Sequence, residues 1–237
     1  MFLKISGLLY KCKINQKKLN ELQQGEVNKM KELFLYGYEF LASFMPFLMA
    51  FALCVYLNKK KGVVISKAAI RTIVVFTVYI LAVYHFTSAG TFYEGLRYQL
   101  KIQNDQLNFI PFSNDIDFVG YFLNIVLFVP LGILVPLVWK KMNKLTYILG
   151  TGLGFSLLIE VSQLLNNRRT DIDDLIMNTV GAMVGFALYK VFDKYTNSKY
   201  QLNDIPISLM LITILVTFIG RFLLFNEMGF ARLLFGF

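Results

Sequence analysis

The chain has 237 residues, of which 56% are hydrophobic and only 16% are charged. Soluble domains of this length are less apolar, so the composition excludes an ordinary soluble fold and predicts a membrane protein. The net charge of +9 does not indicate nucleic-acid binding, because the basic residues stand in short clusters between apolar runs. A disulfide framework is excluded as well, because one of the two cysteines, Cys54, lies inside an apolar run.

The apolar runs, taken in chain order, predict an all-α fold: a polytopic membrane bundle of about six transmembrane helices. A helix needs about 20 apolar residues to cross the hydrocarbon core of a bilayer. The predicted spans are 33–57, 68–88, 118–138, 145–165, 174–192 and 205–225. They divide the chain into three parts, which are a Lys-rich arm (1–32), an extra N-terminal helix with its loop (33–67) and a five-helix membrane domain (68–237).

The distribution of positive charge predicts the orientation of these helices, because Lys and Arg in short loops mark the cytoplasmic side. The loops after the first, third and fifth spans hold ten Lys. The loops after the second and fourth spans, with the C-terminal tail, hold five Lys or Arg and are predicted to be extracellular.

The seven Lys of residues 1–32 oppose that orientation. Three explanations are open. Either the first span does not cross the membrane, or the arm is translocated despite its charge, or translation starts at Met30. The third rests on the run QQGEVNKM, which a purine-rich stretch typical of a bacterial ribosome-binding site can encode.

Three polar side chains fall at one depth in three different spans. Asn124, Glu160 and Asn178 lie about 6–9 Å below the predicted outer ends of their helices, at about 1.5 Å rise per residue. Isolated polar groups in lipid are costly and usually face the interior of a bundle. We therefore expect these three residues to share a pocket in the outer leaflet. Three others at similar depth are close enough to the interface to be solvated separately; they are Glu39, His85 and Arg221.

The rim of this pocket is predicted in NNRRTDID, the outer loop between the fourth and fifth spans. One Asp of the loop can cap the fifth span, and Arg168 could pair with the Asp residues or hold a phosphate or carboxylate. Gln163 shares a helix face with Glu160 at a spacing of three residues. The run GAMVG, with Gly181 and Gly185, predicts close helix packing.

Four ordered segments carry a resemblance to a known family. They are NFIPF (108–112), NIVLFVPLG (124–132), IEVSQ (159–163) and RRTDIDDLIMNTVGAMVG (168–185). In order and spacing they resemble those of VanZ-like proteins, which are small bacterial integral membrane proteins.

The resemblance implies a place in the bacterial plasma membrane and a link to resistance against teicoplanin-type glycopeptide antibiotics, with no established reaction. The signature positions that it marks are Asn108, Pro111, Asn124, Pro130, Gly132, Glu160, Gln163, Arg168, Asp171, Asp173, Asp174, Asn178, Gly181 and Gly185.

Three functions are compatible with this pattern. The first is binding of a membrane lipid, a lipid-linked wall precursor or a lipophilic glycopeptide. Its candidate ligand-binding residues are Asn108, Asn124, Gln163, Arg168, Asp171 and Asn178.

The second function is an intramembrane enzyme acting on a lipid-linked or phosphate-bearing substrate. Glu160 would be its general acid or base, and Asp173 and Asp174, with Asp171, would bind a divalent cation, the one cofactor suggested. The third is a small transporter, which the confinement of charge to one leaflet opposes. The oligomeric state is not indicated.

Overall fold

The computed structural model describes residues 2–60, 65–97, 99, 106–113, 117–166, 168, 170–197 and 205–226, with side chains from residue 22 onward. The helices found there are α1 (Phe2–Lys60), α2 (Lys67–Phe86), α3 (Phe92–Arg97), α4 (Phe118–Val138), α5 (Leu145–Gln163), α6 (Ile172–Thr196) and α7 (Ile207–Leu224). The strands are β1 (Leu107–Asn108) and β2 (Thr170–Asp171). The described residues form two compact units, one up to residue 41 and one within residues 42–226.

Six helices of the described part are long and apolar enough to cross a membrane. They are α2, α4, α5, α6, α7 and the stretch of α1 from Leu22 to Lys60. The predicted all-α membrane bundle is therefore confirmed, and the five later spans agree with their predicted limits to within four residues.

The first helix differs from its prediction, because α1 begins at Phe2 rather than near residue 33. Residues 2–32 contain no Pro and are rich in Leu, Lys, Glu and Gln, all of which favour helix. A polar arm and an apolar span can thus form one helix. The domain limits and a start at Met30 stay predictions.

In the unit formed by residues 42–226, α4 and α6 make the most extensive helix contact. Glycine allows this close approach. A Cβ at Gly181 would overlap the carbonyl of Ile125, and one at Gly185 would overlap the carbonyl of Val129. Gly132 does the same from α4, since a Cβ there would overlap the backbone of α6. The packing predicted for GAMVG is confirmed.

Two tyrosines, the partly buried Tyr79 and the buried Tyr84, connect α2 to two other helices. The Tyr79 hydroxyl donates to the Leu127 carbonyl of α4 at 2.9 Å, and the Tyr84 hydroxyl donates to the Ile214 carbonyl of α7 at 2.7 Å. A buried Tyr hydroxyl needs such a partner, so these bonds set the position of α2 along its neighbours.

A two-residue parallel sheet joins the loops that precede α4 and α6. Leu107 pairs with Thr170, and Asn108 pairs with Asp171. Because α4 and α6 run side by side in the same direction, the segments that lead into them meet at the same end of the bundle. This end carries most of the sequence-predicted site.

Candidate functional site

The site begins at the N-terminus of α6, where Asp171 is the N-cap. Its Oδ1 accepts a hydrogen bond from the backbone N–H of Asp173 at 3.0 Å. Its two carboxylate oxygens also accept from Asn108 Nδ2 at 3.2 and 3.1 Å. Two predicted ligand-binding residues are thus brought together, and their contact joins β1 to β2 through side chains as well as backbone.

Asn108 also organises the loop that follows it. Its Oδ1 accepts from the backbone N–H of Ile110 at 3.2 Å and from the Ser113 hydroxyl at 3.0 Å. One amide side chain therefore folds the turn with its oxygen and holds Asp171 with its nitrogen. Pro111, inside this turn, is exposed.

Asp173 is buried, with 2% of its surface exposed, and both of its carboxylate oxygens have partners. Oδ1 accepts from the backbone N–H of Phe112 at 2.9 Å, and Oδ2 accepts from the Tyr121 hydroxyl at 2.6 Å. Phe112 has a φ of 55°, a left-handed conformation that non-glycine residues seldom adopt. In this conformation the backbone N–H of Phe112 donates its hydrogen bond to the Asp173 carboxylate.

Asp174 faces α4, where Asn124 Nδ2 donates to its Oδ1 at 2.5 Å. The bond joins α6 to α4, the helix pair with the most extensive contact in the described part of the chain. It joins a predicted ligand-binding amide to a residue predicted to bind metal.

Glu160 and Asn178 are both 2% exposed and face the interior between α5 and α6. Asn178 Nδ2 donates to the Ser156 hydroxyl at 2.9 Å, and Ser156 lies one helical turn before Glu160. Within the described part of the chain, neither Glu160 Oε2 nor Asn178 Oδ1 has a hydrogen-bond partner. A buried polar atom without a partner costs about 1–3 kcal/mol, so two such acceptors on the neighbouring helices α5 and α6 require an explanation.

The surroundings of Glu160 are acidic and tied to β2. Its carboxylate has a backbone hydrogen-bond partner at Asp171, and its own carbonyl accepts from the Thr170 hydroxyl at 2.9 Å. Asp171 and Asp174 are close enough for their charges to act on it. Glu160, the predicted general acid or base, therefore lies beside Asp171 and Asp174.

Gln163 and Arg168 contact a different element, the loop that ends α2. Gln163 Nε2 and Arg168 Nη1 donate to the same Thr87 carbonyl at 2.7 and 2.8 Å. Asn166 Nδ2 donates to the Ser88 carbonyl at 2.9 Å. These hydrogen bonds assign both predicted ligand-binding residues a role in positioning this loop. Arg169 lies outside the described residues.

Arg221 differs from its prediction. We expected it to be solvated at the interface, but it is 7% exposed and donates to the Ala89 carbonyl. Its guanidinium also lies 5.3 Å from the ring centroid of Phe225. The carbonyl and the ring together allow the charge to be buried. His85 is exposed, as expected, and Glu39 belongs to the other compact unit.

The structure gives the divalent cation no direct support. Among the described residues, no group of three or more His, Cys, Asp or Glu side chains is arranged to hold a metal ion. Asp173 uses both oxygens for hydrogen bonds, and Asp174 uses one for Asn124. Metal binding by Asp173 and Asp174 stays a prediction.

Three contacts at the site were not predicted from the sequence. Tyr121 lies three residues before Asn124 and shares its helix face, a spacing that could have revealed it. Phe112 contributes only its backbone, which residue type does not disclose. The Thr87 carbonyl acts in the same way, as a backbone acceptor that residue type does not disclose.

An acidic, amide-rich cluster at one end of six apolar helices defines a small multi-pass membrane protein with a polar site at the end of the bundle. The profile of the VanZ/LLP1 family matches residues 73–193, half of the chain, which runs from α2 into α6 and contains this site. The chain belongs to that family.

One curated relative is Protein VanZ of Enterococcus faecium, which is 31% identical over 96 residues. The match covers 39% of this chain and 58% of the relative, so the chain spans less than two thirds of that protein. No solved structure matches the chain.

Proposed function

We propose that this protein binds an amphiphile at the outer face of the bacterial plasma membrane, through the site formed by α4, α5 and α6. The amphiphile is a membrane lipid, a lipid-linked wall precursor or a lipophilic glycopeptide. Binding it contributes to resistance against teicoplanin-type antibiotics, in keeping with the family. The loops after α2 and α5 face outward in this proposal.

One observation carries the proposal: the two buried acceptor atoms, Glu160 Oε2 and Asn178 Oδ1, that have no hydrogen-bond partner among the described residues. A hydroxyl or ammonium group bound between α5 and α6 would satisfy both. The charge of Asp174 nearby favours a cationic or strongly donating head group over an anionic one.

Apolar side chains beside the site support an amphiphilic ligand. Phe109 and Ile110 follow Asn108 directly and are 71% and 68% exposed. Phe118 and Phe122, at the start of α4, are exposed as well. Exposed apolar groups next to a buried polar cluster suit a molecule with a polar head and an apolar tail.

An intramembrane enzyme is the second candidate, favoured by the position of Glu160. Its carboxylate is buried beside Asp171 and Asp174 and keeps one oxygen without a partner in the described structure. Such a group could move a proton to or from a bound substrate. Turnover of radiolabelled membrane lipid extract by the purified protein would distinguish catalysis from binding.

Glu160→Gln is expected to abolish the resistance that the protein confers, because it replaces one oxygen acceptor of the carboxyl group with an amide N–H group, which cannot accept a hydrogen bond from the ligand. Cells that express the variant should then be as sensitive to teicoplanin as cells with an empty vector. The matched control is Glu94→Gln. Glu94 accepts hydrogen bonds from Thr91 in a capping box, a position that Gln also occupies.

The measurement is the minimum inhibitory concentration at equal amounts of membrane-inserted protein. The proposal predicts that the minimum inhibitory concentration for cells with the Glu94→Gln variant equals that for the wild type. For cells with the Glu160→Gln variant it should be lower. If both variants protect as well as the wild type does, the buried carboxylate is structural and the proposal is wrong.

A further inference from the structure

A second, separate feature is an apolar groove between α5 and α7 with a volume of about 490 Å³. Gly150 and Gly154 form part of its α5 wall, and a Cβ at either position would meet nothing within 4 Å. The α7 wall includes Ile207, Leu211 and Leu215. None of these residues belongs to the site described above.

The groove has the dimensions of a lipid chain. Its wall on α5 runs from Thr146 to Leu158, a rise of about 18 Å along the helix. One leaflet is half of a hydrocarbon core of about 30 Å. Because both helices are membrane spans, the surrounding medium is lipid, and an acyl chain fits the groove in polarity and length.

The mouth of the groove is basic. Lys140, Lys141 and Lys144 are exposed on the segment that leads into α5. Lys144 Nζ lies 5.7 Å from the ring centroid of Tyr147, which itself lines the groove. Three exposed lysines therefore flank Met142 and Tyr147, which line this end of the groove.

Both walls add to this positive potential, because α5 and α7 begin at the same end of the groove. The N-cap residues are Lys144 and Pro206, and no side-chain hydrogen bond is found at either cap in the described structure. Helix N-termini carry partial positive charge and open N–H groups, which favour an anion.

We propose that the α5–α7 groove binds one acyl chain of an anionic phospholipid whose phosphate lies among Lys140, Lys141 and Lys144. The lipid lies at the opposite end of α5 from Glu160, in the leaflet that faces these lysines. The groove thus gives the protein a second, charge-selective lipid site that is independent of the outer one.

Trp139 provides the measurement, because it is the one tryptophan of the chain and its indole donates to the Pro206 carbonyl at 3.0 Å beside the groove. The full-length protein is placed in phosphatidylcholine vesicles with a small fraction of dibrominated phosphatidylglycerol, and quenching of Trp139 fluorescence is recorded. Dibrominated phosphatidylcholine gives the reference. A preference for phosphatidylglycerol of about tenfold or more is expected, because each nearby lysine favours an anionic head group.

Two sets of variants test separately the groove that would hold the acyl chain and the lysines that would hold the head group. The double change Gly150→Leu and Gly154→Leu fills the groove and should remove the saturable quenching, while Gly37→Leu, also in open space, should not. Replacing Lys140, Lys141 and Lys144 with Gln should remove the preference for phosphatidylglycerol but keep quenching by either lipid. The control replaces Lys59, Lys60 and Lys67 with Gln.

The proposal is overturned if the wild-type protein shows no preference for phosphatidylglycerol. It is also overturned if brominated lipid quenches Trp139 in the double Leu variant as strongly as in the wild type. A wild-type dimer in which neither lipid quenches Trp139 also overturns it, because a second copy then occupies the groove. If thermal melting shows that the double Leu variant does not fold, the test rests on the variant with Lys140, Lys141 and Lys144 replaced. The proposal is then overturned if that variant keeps the preference for phosphatidylglycerol.

Discussion

Gly185→Val is expected to lower the free energy of unfolding by about 1–3 kcal/mol or more, the usual cost of forcing a larger side chain into a packed interior. The new Cβ would overlap the Val129 carbonyl of α4, which is backbone and cannot turn aside as a side chain can. The two helices would have to separate along their longest contact. Thermal unfolding of the detergent-solubilised protein, followed by circular dichroism, measures the loss.

Gly154→Val is the matched control for this prediction. It makes the same substitution in a neighbouring helix where a Cβ meets nothing within 4 Å. We expect it to melt at or slightly above the wild-type temperature, because removing a helical glycine restricts the unfolded chain. Equal melting of the two variants would show that α4 and α6 are not in close contact.

Asp171→Ala has the second large effect, because it removes a helix cap and a charge-assisted hydrogen bond together. The lost cap costs about 1 kcal/mol. The lost bond to Asn108 costs about 1.5–3 kcal/mol, as is typical of bonds to a charged group. We expect a combined loss of about 2.5–4 kcal/mol and faster proteolysis of the loop that contains Asn108.

Asp117→Ala separates the two contributions. Asp117 caps α4 by accepting from the Gly120 N–H at 3.0 Å, so its loss should cost about 1 kcal/mol. Asp171→Asn should fall between the wild type and the Ala variant, since Asn also caps helices. If Asp171→Ala were no worse than Asp117→Ala, the contact with Asn108 would contribute nothing.

The bundle itself was predictable because long apolar runs have one physical solution in a membrane. Every backbone N–H and C=O must be bonded inside the segment, so each run becomes a helix. The limits of α4 follow directly from this argument. The start of α1 does not, because a polar helix in water and an apolar helix in lipid can be continuous, and composition alone does not mark the join.

Part of the site was predictable for a similar reason. A fixed rise per residue converts spacing into depth, and this brought Asn124, Glu160 and Asn178 to one level. The structure places Glu160 and Asn178 on facing helices, whereas Asn124 bonds to Asp174. Depth sets the level of a residue but not the direction in which its side chain points.

The contacts of Gln163 and Arg168 were not predictable by these means. Both donate to the Thr87 carbonyl, a backbone atom in a loop about 80 residues earlier in the chain. Patterns of side chains do not indicate where a backbone acceptor will lie. Ligand binding by Gln163 and Arg168 stays a prediction.

Native mass spectrometry of the purified protein tests the central proposal most directly. Wild-type protein, the Glu160→Gln variant and the Glu94→Gln variant are each incubated with teicoplanin or with bacterial membrane lipid extract, and the retained molecules are identified by mass. We expect at least one amphiphile to be retained by the wild type and by the Glu94→Gln variant but lost from the Glu160→Gln variant. Identical retention by all three proteins would contradict it.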